Sequence, residues 1–231
     1  MSIGPKQALY GEFALVARAL GSPHRLEMLE HLAQGERGVE ALAERVGLAV
    51  ANASQHLQQL RRAGLVTSRR AGKFVLYRLA DDTVLGLTMA LSEVAERNLA
   101  EVERIRRTYF TARDGMEPVS REELMTRLRD GLVTVLDVRP ADEFASGHLP
   151  GAVNIPLGEL ADRLAQLDPE QEIVAYCRGP WCVLSFEAVA ALRARGFKVR
   201  RLQDGWPEWK ASGLPVEQDA AVPTDPVPSR H

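Results

Sequence analysis

A chain of 231 residues is long enough for two domains of ordinary size. Its composition, 45% hydrophobic and 26% charged, is that of a soluble globular protein. No stretch approaches the roughly 20 apolar residues of a membrane span, and the N-terminus has no basic-then-apolar signal pattern, so a cytoplasmic protein with no membrane partner is expected. The formal net charge of −2 hides an asymmetry. Residues 1–115 carry 16 Lys/Arg and 13 Asp/Glu, a net of +3, whereas residues 116–231 carry 13 and 18, a net of −5. A net of +3 is weak evidence for nucleic acid, so the placement of the basic residues has to decide.

In chain order, a helical pattern runs from about Leu9 to Leu20 and is broken by Gly21-Ser22-Pro23. Ser22 can cap the next helix, with Pro23 at its first position, and that helix runs to about Ala33. A short helix follows with Val39, Leu42, Ala43 and Val46 as its apolar face. After a turn at Gly47, a helix starting near Val50 holds Ala53, Leu57 and Leu60 inward and stops at Ala63-Gly64, where glycine is the usual C-terminal residue. Residues 65–70 and 73–79 read as two strands around Ala71-Gly72, a β-hairpin with a basic tip. A long helix from about Asp82 to Phe110 carries the apolar stripe Val84, Leu87, Leu91, Val94, Ala95, Leu99, Val102 and Ile105. That stripe is too long for one small core and suggests a dimer seam.

Two short helices around a glycine turn, followed by a basic hairpin, describe a winged helix-turn-helix, whose second helix enters the major groove of DNA. In the helix from Val50, the residues Asn52, Ser54, Gln55, His56 and Gln59 can face out, where amides contact adenine and hydroxyls serve bases or phosphates. Arg61 and Arg62 end this helix. Arg69, Arg70 and Lys73 sit on the wing, where point charges meet phosphate. The competing reading is a solvated polar helix face and an ordinary charged hairpin; the whole array favours DNA. The segment 19–29 resembles the opening helix of the ArsR family, and Ser54-Gln55-His56-Leu57 through Leu60 to Val66 resembles its recognition helix and exit. The resemblance implies a homodimer on a palindromic double-stranded operator, usually repressing until an inducer binds. Metal-sensing members carry cysteines just before or within the helix preceding the recognition helix, but here that stretch is Gly38-Val39-Glu40-Ala41-Leu42-Ala43. Another family metal site uses Asp and His on the long helix, and residues 82–110 hold no histidine. No metal or cofactor is therefore expected.

The second half begins after a short linker, residues 113–119. Ser120-Arg121-Glu122-Glu123 reads as a capping box. Strands and helices then alternate: Val133 to Val138, Ile173 to Tyr176, Val183 to Arg195, Lys198 to Leu202. This argues a parallel α/β sheet. Domains are expected over 1–112 and 120–216, with a disordered proline-bearing tail over 217–231.

The most informative stretch is Tyr176-Cys177-Arg178-Gly179-Pro180-Trp181-Cys182, which holds both cysteines of the chain. A cysteine between a strand and a helix sits beside unpaired N–H groups and the positive end of a helix dipole, an environment that favours the reactive thiolate. The bland alternative is two small buried apolar residues. The flanking motifs decide between them. Leu136-Asp137-Val138-Arg139-Pro140, Glu143-Phe144, residues 147–156 (GHLPGAVNIP) and residues 202–209 (LQDGWPEW) bracket Cys177 in order and spacing, and roughly Val119 to Val216 resembles a rhodanese domain. The resemblance implies that Cys177 carries sulfur. Familiar single-domain members have a glycine three residues after the cysteine and often a basic residue near the loop's end. Here the glycine comes two residues after, Pro180 follows, and Cys182 stands near the basic position, which disfavours ordinary thiosulfate turnover. An oxyanion-clamping arginine six residues after the cysteine, as phosphatase or arsenate reductase chemistry would need, is absent, since position 183 is valine.

Two functions follow from the residues. In the first, a transcription factor senses a small sulfur donor or oxidant through Cys177, with Cys182 as the resolving thiol and Arg178 holding an anionic donor or lowering the thiol pKa. In the second, the protein is a sulfurtransferase whose DNA-binding domain targets or autoregulates it. The resolving cysteine favours the first. A sensor of arsenic, selenium or general oxidants through the same dithiol remains open.

Overall fold

The computed structural model describes residues 4–111 and 118–219, leaving most of the expected linker and the tail beyond 219 outside the described residues. It divides into two compact units, 1–102 and 103–231. The boundary lies inside the helical run that the sequence assigns to the first domain, nine residues before Thr111.

The first unit is helical with a small sheet. Helices α1 (Pro5–Leu20), α2 (Pro23–Ala33), α3 (Val39–Arg45) and α4 (Val50–Arg62) precede strands β2 (Val66–Ala71) and β3 (Phe74–Leu79). A two-residue strand β1 (Arg37–Gly38), invisible to any periodicity, pairs with β3 to give the antiparallel order β1-β3-β2. The hairpin closes through Gly72, whose φ of +60° suits glycine. Met28 and Leu29 of α2, Leu42 of α3, and Ala53, Leu57 and Leu60 of α4 are buried together with Val66 and Tyr77. The 3.6-residue period of α4 is therefore satisfied by a core and leaves the opposite face polar. Ser22 occupies the N-cap of α2, but its side chain makes no capping bond; the fixed φ of Pro23 at the first position starts the helix without it.

The expected single helix from Asp82 is interrupted. It comprises α5 (Asp82–Asn98), α6 (Ala100–Ile105) and a π-helical turn over Arg106–Thr111. Leu99 between them is extended, with φ −108° and ψ 107°. The Asn98 amide donates to the Val94 carbonyl at 2.8 Å, competing with the backbone ladder where it stops. Much of the predicted stripe is uncovered within the chain: Val94 is 60% exposed, and Leu87 and Leu91 of α5 and Phe13 and Tyr10 of α1 are exposed too.

The second unit is a four-stranded parallel sheet in the order β5-β4-β6-β7, from β4 (Val133–Asp137), β5 (Val153–Asn154), β6 (Glu172–Tyr176) and β7 (Val199–Arg201). Helices α7 (Arg121–Arg129), α8 (Ala141–Ala145), α9 (Val183–Arg193) and α10 (Trp206–Ala211) surround it. Side chains alternate between its faces as the pleat requires. Leu136, Ile173, Ala175 and Cys177 join one cluster with Val189 and Leu192 of α9. Val133, Val135, Val174 and Tyr176 join another with Leu124, Trp206 and Trp209. From β4 the chain goes to one edge of the sheet, and from β6 to the other. The carboxyl ends of β4 and β6 form the switch point where parallel sheets place their ligand sites. At the far end, Glu217 does not belong to a free tail: it pairs with His148 in an antiparallel bridge, N–H to carbonyl 2.9 Å each way.

Candidate functional site

The thiol loop leaves β6 at the switch point. Parity along β6 sends Tyr176 to the face of Trp206 and Cys177 to the face of α9. Cys177 (1% exposed) and Cys182 (6% exposed) are both buried and joined as a disulfide, with Cα atoms 6.1 Å apart, inside the usual span of about 4.4–6.8 Å. Cys182, not Cys177, is the N-cap of α9. The helix-terminus argument made from sequence thus falls on the second cysteine, because the turn Gly179–Cys182, closed by Cys182 N–H to Gly179 O at 3.2 Å, uses up the residues between strand and helix. The Cys182 carbonyl accepts from Ser185 through both its N–H (3.2 Å) and its hydroxyl (2.9 Å), fixing the first turn of α9.

The loop is held from two sides. The Trp206 N–H donates to the Cys177 carbonyl at 3.0 Å. Gly205, the N-cap of α10, approaches so closely that a Cβ there would overlap the backbone of Arg178 and Gly179. Glu208 accepts from the Gly205 N–H at 3.0 Å and places its carboxylate beside Gly179. On the other side, Arg178 turns to α8. Its guanidinium forms a bidentate pair with Glu143 of α8, at 2.9 Å from Nε and 2.9 Å from Nη2, and Glu143 is fully buried. The pairing follows from burial, because a buried carboxylate needs a cation beside it. In the sequence Glu143 stands only as part of a motif, and no local pattern marks its meeting with Arg178, 35 residues away.

A second pair is fully buried on both sides. Arg139 binds Asp137 with Nη2 at 2.6 Å and Nε at 3.0 Å, and donates to the Gly147 carbonyl at 2.8 Å. Burial pulls the Arg139 pKa down, but the neighbouring Asp137 carboxylate outweighs it and raises it overall. Its guanidinium carbon lies 5.6 Å from the Tyr176 ring centre and 5.3 Å from that of Trp206. Burial, reinforced by Asp137, holds the Tyr176 phenol well above its ordinary value, so it stays neutral and accepts from the Leu149 N–H at 3.1 Å. The pair therefore joins the β4 exit loop to the turn over 147–149. His148 stacks on Phe144, ring centres 3.7 Å apart, with its Nδ1 3.0 Å from the Phe144 carbonyl. The outer wall is aromatic: Phe110 packs 5.4 Å from Trp181 and 4.9 Å from Phe186 of α9, centre to centre.

In the first unit, Asn52 and Gln55 are exposed on α4 and Ser54 is half-buried beside them. Arg61, Arg62, Arg70 and Lys73 are also exposed, with the Lys73 ammonium 5.2 Å from the Phe74 ring centre. Two predicted contacts are instead engaged from within. Arg25 of α2 donates to Gln59 Oε1 at 2.6 Å and lies 3.5 Å from His56 Nδ1, while its Nε binds the Ala19 carbonyl at 2.5 Å. Burial, then the charges of Arg25 and His24, lowers the His56 pKa. A third, Arg69, is chelated by Glu36 with Nε at 2.8 Å, a pairing that raises its pKa. These partners come from elements distant in sequence, so no local pattern could reveal them.

Nearly all of the chain is similar to a curated protein. It is 44% identical over 217 residues to the HTH-type transcriptional regulator Rv0324 of Mycobacterium tuberculosis, an alignment spanning 94% of this chain and 95% of that one. The chain belongs to the HTH-type transcriptional regulators. Within this regulator, residues 20–69 match the model of a helix-turn-helix domain and residues 120–212 that of a rhodanese-like domain. The regulator is also similar to a sulfurtransferase of Allochromatium vinosum, 31% identical over 42% of this chain and 92% of that one. Among solved structures, the homodimeric winged helix-turn-helix DNA-binding domain of Mb0332 from Mycobacterium bovis is 40% identical, with a TM-score of 0.40, over 43% of this chain and 92% of that one. The regulator thus combines an ArsR-type winged helix with a rhodanese-like sheet. None of its described helices is long and apolar enough to cross a membrane.

Proposed function

We propose that this regulator is a homodimeric repressor that binds a palindromic operator and releases it when the dithiol Cys177/Cys182 reacts with reactive sulfur. The observation that carries the reading is that the two cysteines of one buried loop lie close enough to bond. Cys177 thiolate attacks the outer sulfur of a sulfane donor R–S–SH, forming a Cys177 persulfide and expelling RS⁻. Cys182 thiolate then attacks the Cys177 sulfur, forming the disulfide and expelling HS⁻. The donor is the two-electron oxidant, and the dithiol is oxidised. The position of Cys182 at the N-terminus of α9 supports its role as the second nucleophile.

DNA contact falls to Asn52, Ser54 and Gln55 of α4, followed by Arg61, Arg62 and the wing cations Arg70 and Lys73. Arg69 joins them if DNA phosphate displaces Glu36. The exposed apolar faces of α1 and α5 support pairing of two copies. The deciding experiment titrates duplex DNA from the regulator's own promoter region with reduced, disulfide and persulfide-treated protein. Equal affinity in all three states would remove the sensor reading. A second reading, sulfurtransferase activity, draws on the likeness to the Allochromatium protein. Brisk sulfur transfer from thiosulfate to cyanide by the intact chain, with unchanged DNA affinity, would establish it instead.

A further inference from the structure

Arg25 of α2 is buried, and its guanidinium is anchored on three oxygens. Nε donates to the Ala19 carbonyl at 2.5 Å and Nη2 to the Arg18 carbonyl at 3.0 Å, both in the last turn of α1, where the helical ladder runs out. Nη1 donates to Gln59 Oε1 of α4 at 2.6 Å. A guanidinium has donors and no acceptor, so the atom it meets on Gln59 must be the oxygen, and chemistry fixes which way the amide points. The same rule orients His56. Its Nδ1, 3.5 Å from Nη1, turns a lone pair to the guanidinium and leaves the ring proton on Nε2.

Gln59 stands one turn after Gln55 on the same face of α4, and both side chains are exposed. A glutamine clasps adenine by accepting from N6 with its oxygen while donating to N7 with its nitrogen, so both atoms must point at the base together. Gln59 is denied that arrangement while Oε1 is turned back to a buried guanidinium. What it offers outward is the Nε2 amino group, a donor without an acceptor beside it. The matching partner in the major groove is guanine, whose O6 and N7 both accept. We propose that Arg25 is a positioning residue for DNA recognition: by holding the oxygen of Gln59, it turns a side chain able to read adenine into a donor that reads guanine. The proposal rests on the reading of α4 as the helix in the major groove. Arg25 touches no base and acts through Gln59.

The test is selection of duplexes from a randomised pool by the full chain, with sequencing of the bound fraction. Wild type is compared with Gln59→Ala, Gln59→Glu, Arg25→Gln and the double variant Arg25→Gln/Gln59→Ala. Gln59→Ala should lose a preference at one position of each half-site. In wild type that position should favour guanine over adenine by about five- to a hundredfold. In Arg25→Gln the freed amide can turn, so adenine should equal or exceed guanine at that position and nowhere else. The double variant should show no preference there. Gln59→Glu keeps a partner for Arg25 but has no donor to offer, and should lose the guanine preference as Gln59→Ala does. If Arg25 is only structural, Arg25→Gln lowers affinity for all duplexes and leaves the order of bases unchanged. That outcome overturns the proposal, as does any base other than guanine in first place at the Gln59-dependent position of wild type. Should Arg25→Gln fail to fold, that first place and the loss of guanine in Gln59→Glu decide alone. The two readings fail separately. Gln59→Ala with every preference intact removes the proposal and keeps α4 as the recognition helix. A wild type that enriches no sequence removes both.

Discussion

At the scale of single residues, much of the site's behaviour comes from pairings between charged groups. Arg25 joins α2 to α4 and to the last carbonyls of α1, and its charge helps keep His56 neutral. A histidine whose pKa is lower in the folded than in the unfolded state contributes stability that is complete above the unfolded value of about 6.5 and is lost as pH falls through the folded value. Melting temperatures of wild type should therefore drop more between pH 7.5 and 5.5 than those of His56→Gln; parallel drops would refute the assignment. At the thiols, brief polysulfide treatment of Cys182→Ser should leave one extra sulfur on Cys177, since no thiol resolves it, and mass spectrometry locates it directly. Labelling confined to Cys182 in wild type would exchange the two roles. The chemical types at these positions were legible in the sequence, because two cysteines in one loop between motifs leave few alternatives. Their partners were not: Glu143 meets Arg178 across 35 residues and Glu36 meets Arg69 across 33, and only the folded chain brings them together.

At the scale of elements, periodicity carried the helices α2 to α4 and the hairpin, because each buries a face against the same core. It did not carry β1 and β5, two residues each and too short to show a period. Nor did it show the interruption at Leu99, where the apolar stripe runs on although the helix does not. The wing divides its cations between two states. Arg70 and Lys73 face solvent, so changing either to Ala should weaken binding to every duplex alike and reduce the slope of log affinity against log salt by about one unit. Arg69→Ala should cost less, because DNA must first displace Glu36; fluorescence anisotropy across a salt series compares the three. At the other end of the chain, the meeting of α10 with the thiol loop leaves no room at Gly205. Gly205→Ala should destabilise the second unit by about 1–3 kcal/mol through overpacking, and should speed alkylation of the reduced cysteines as the loop is pushed away. An unchanged unfolding midpoint in urea would show that the contact yields.

At the scale of the whole molecule, chemistry in one unit regulates the other only if its two states bind DNA with different free energies. A coupling of about 1–3 kcal/mol corresponds to a change in DNA affinity of roughly 5- to 150-fold. Treatment of wild type with hydropersulfide should lower affinity by that order, and Cys177→Ser should bind DNA normally and ignore the treatment. A wild type that responds no more than Cys177→Ser would contradict this. The compact units also bear on how the protein can be dissected. Sequence motifs invite a cut near residue 113, yet Glu103 to Thr111 belongs with the second unit, and Phe110 in it covers Trp181 and Phe186. A rhodanese-like fragment beginning at residue 120 would lose that cover over Trp181 and Phe186. It should bind hydrophobic dyes and self-associate where a fragment beginning at residue 99 does not. Any sulfur chemistry measured on the shorter piece would then describe a loop without its lid.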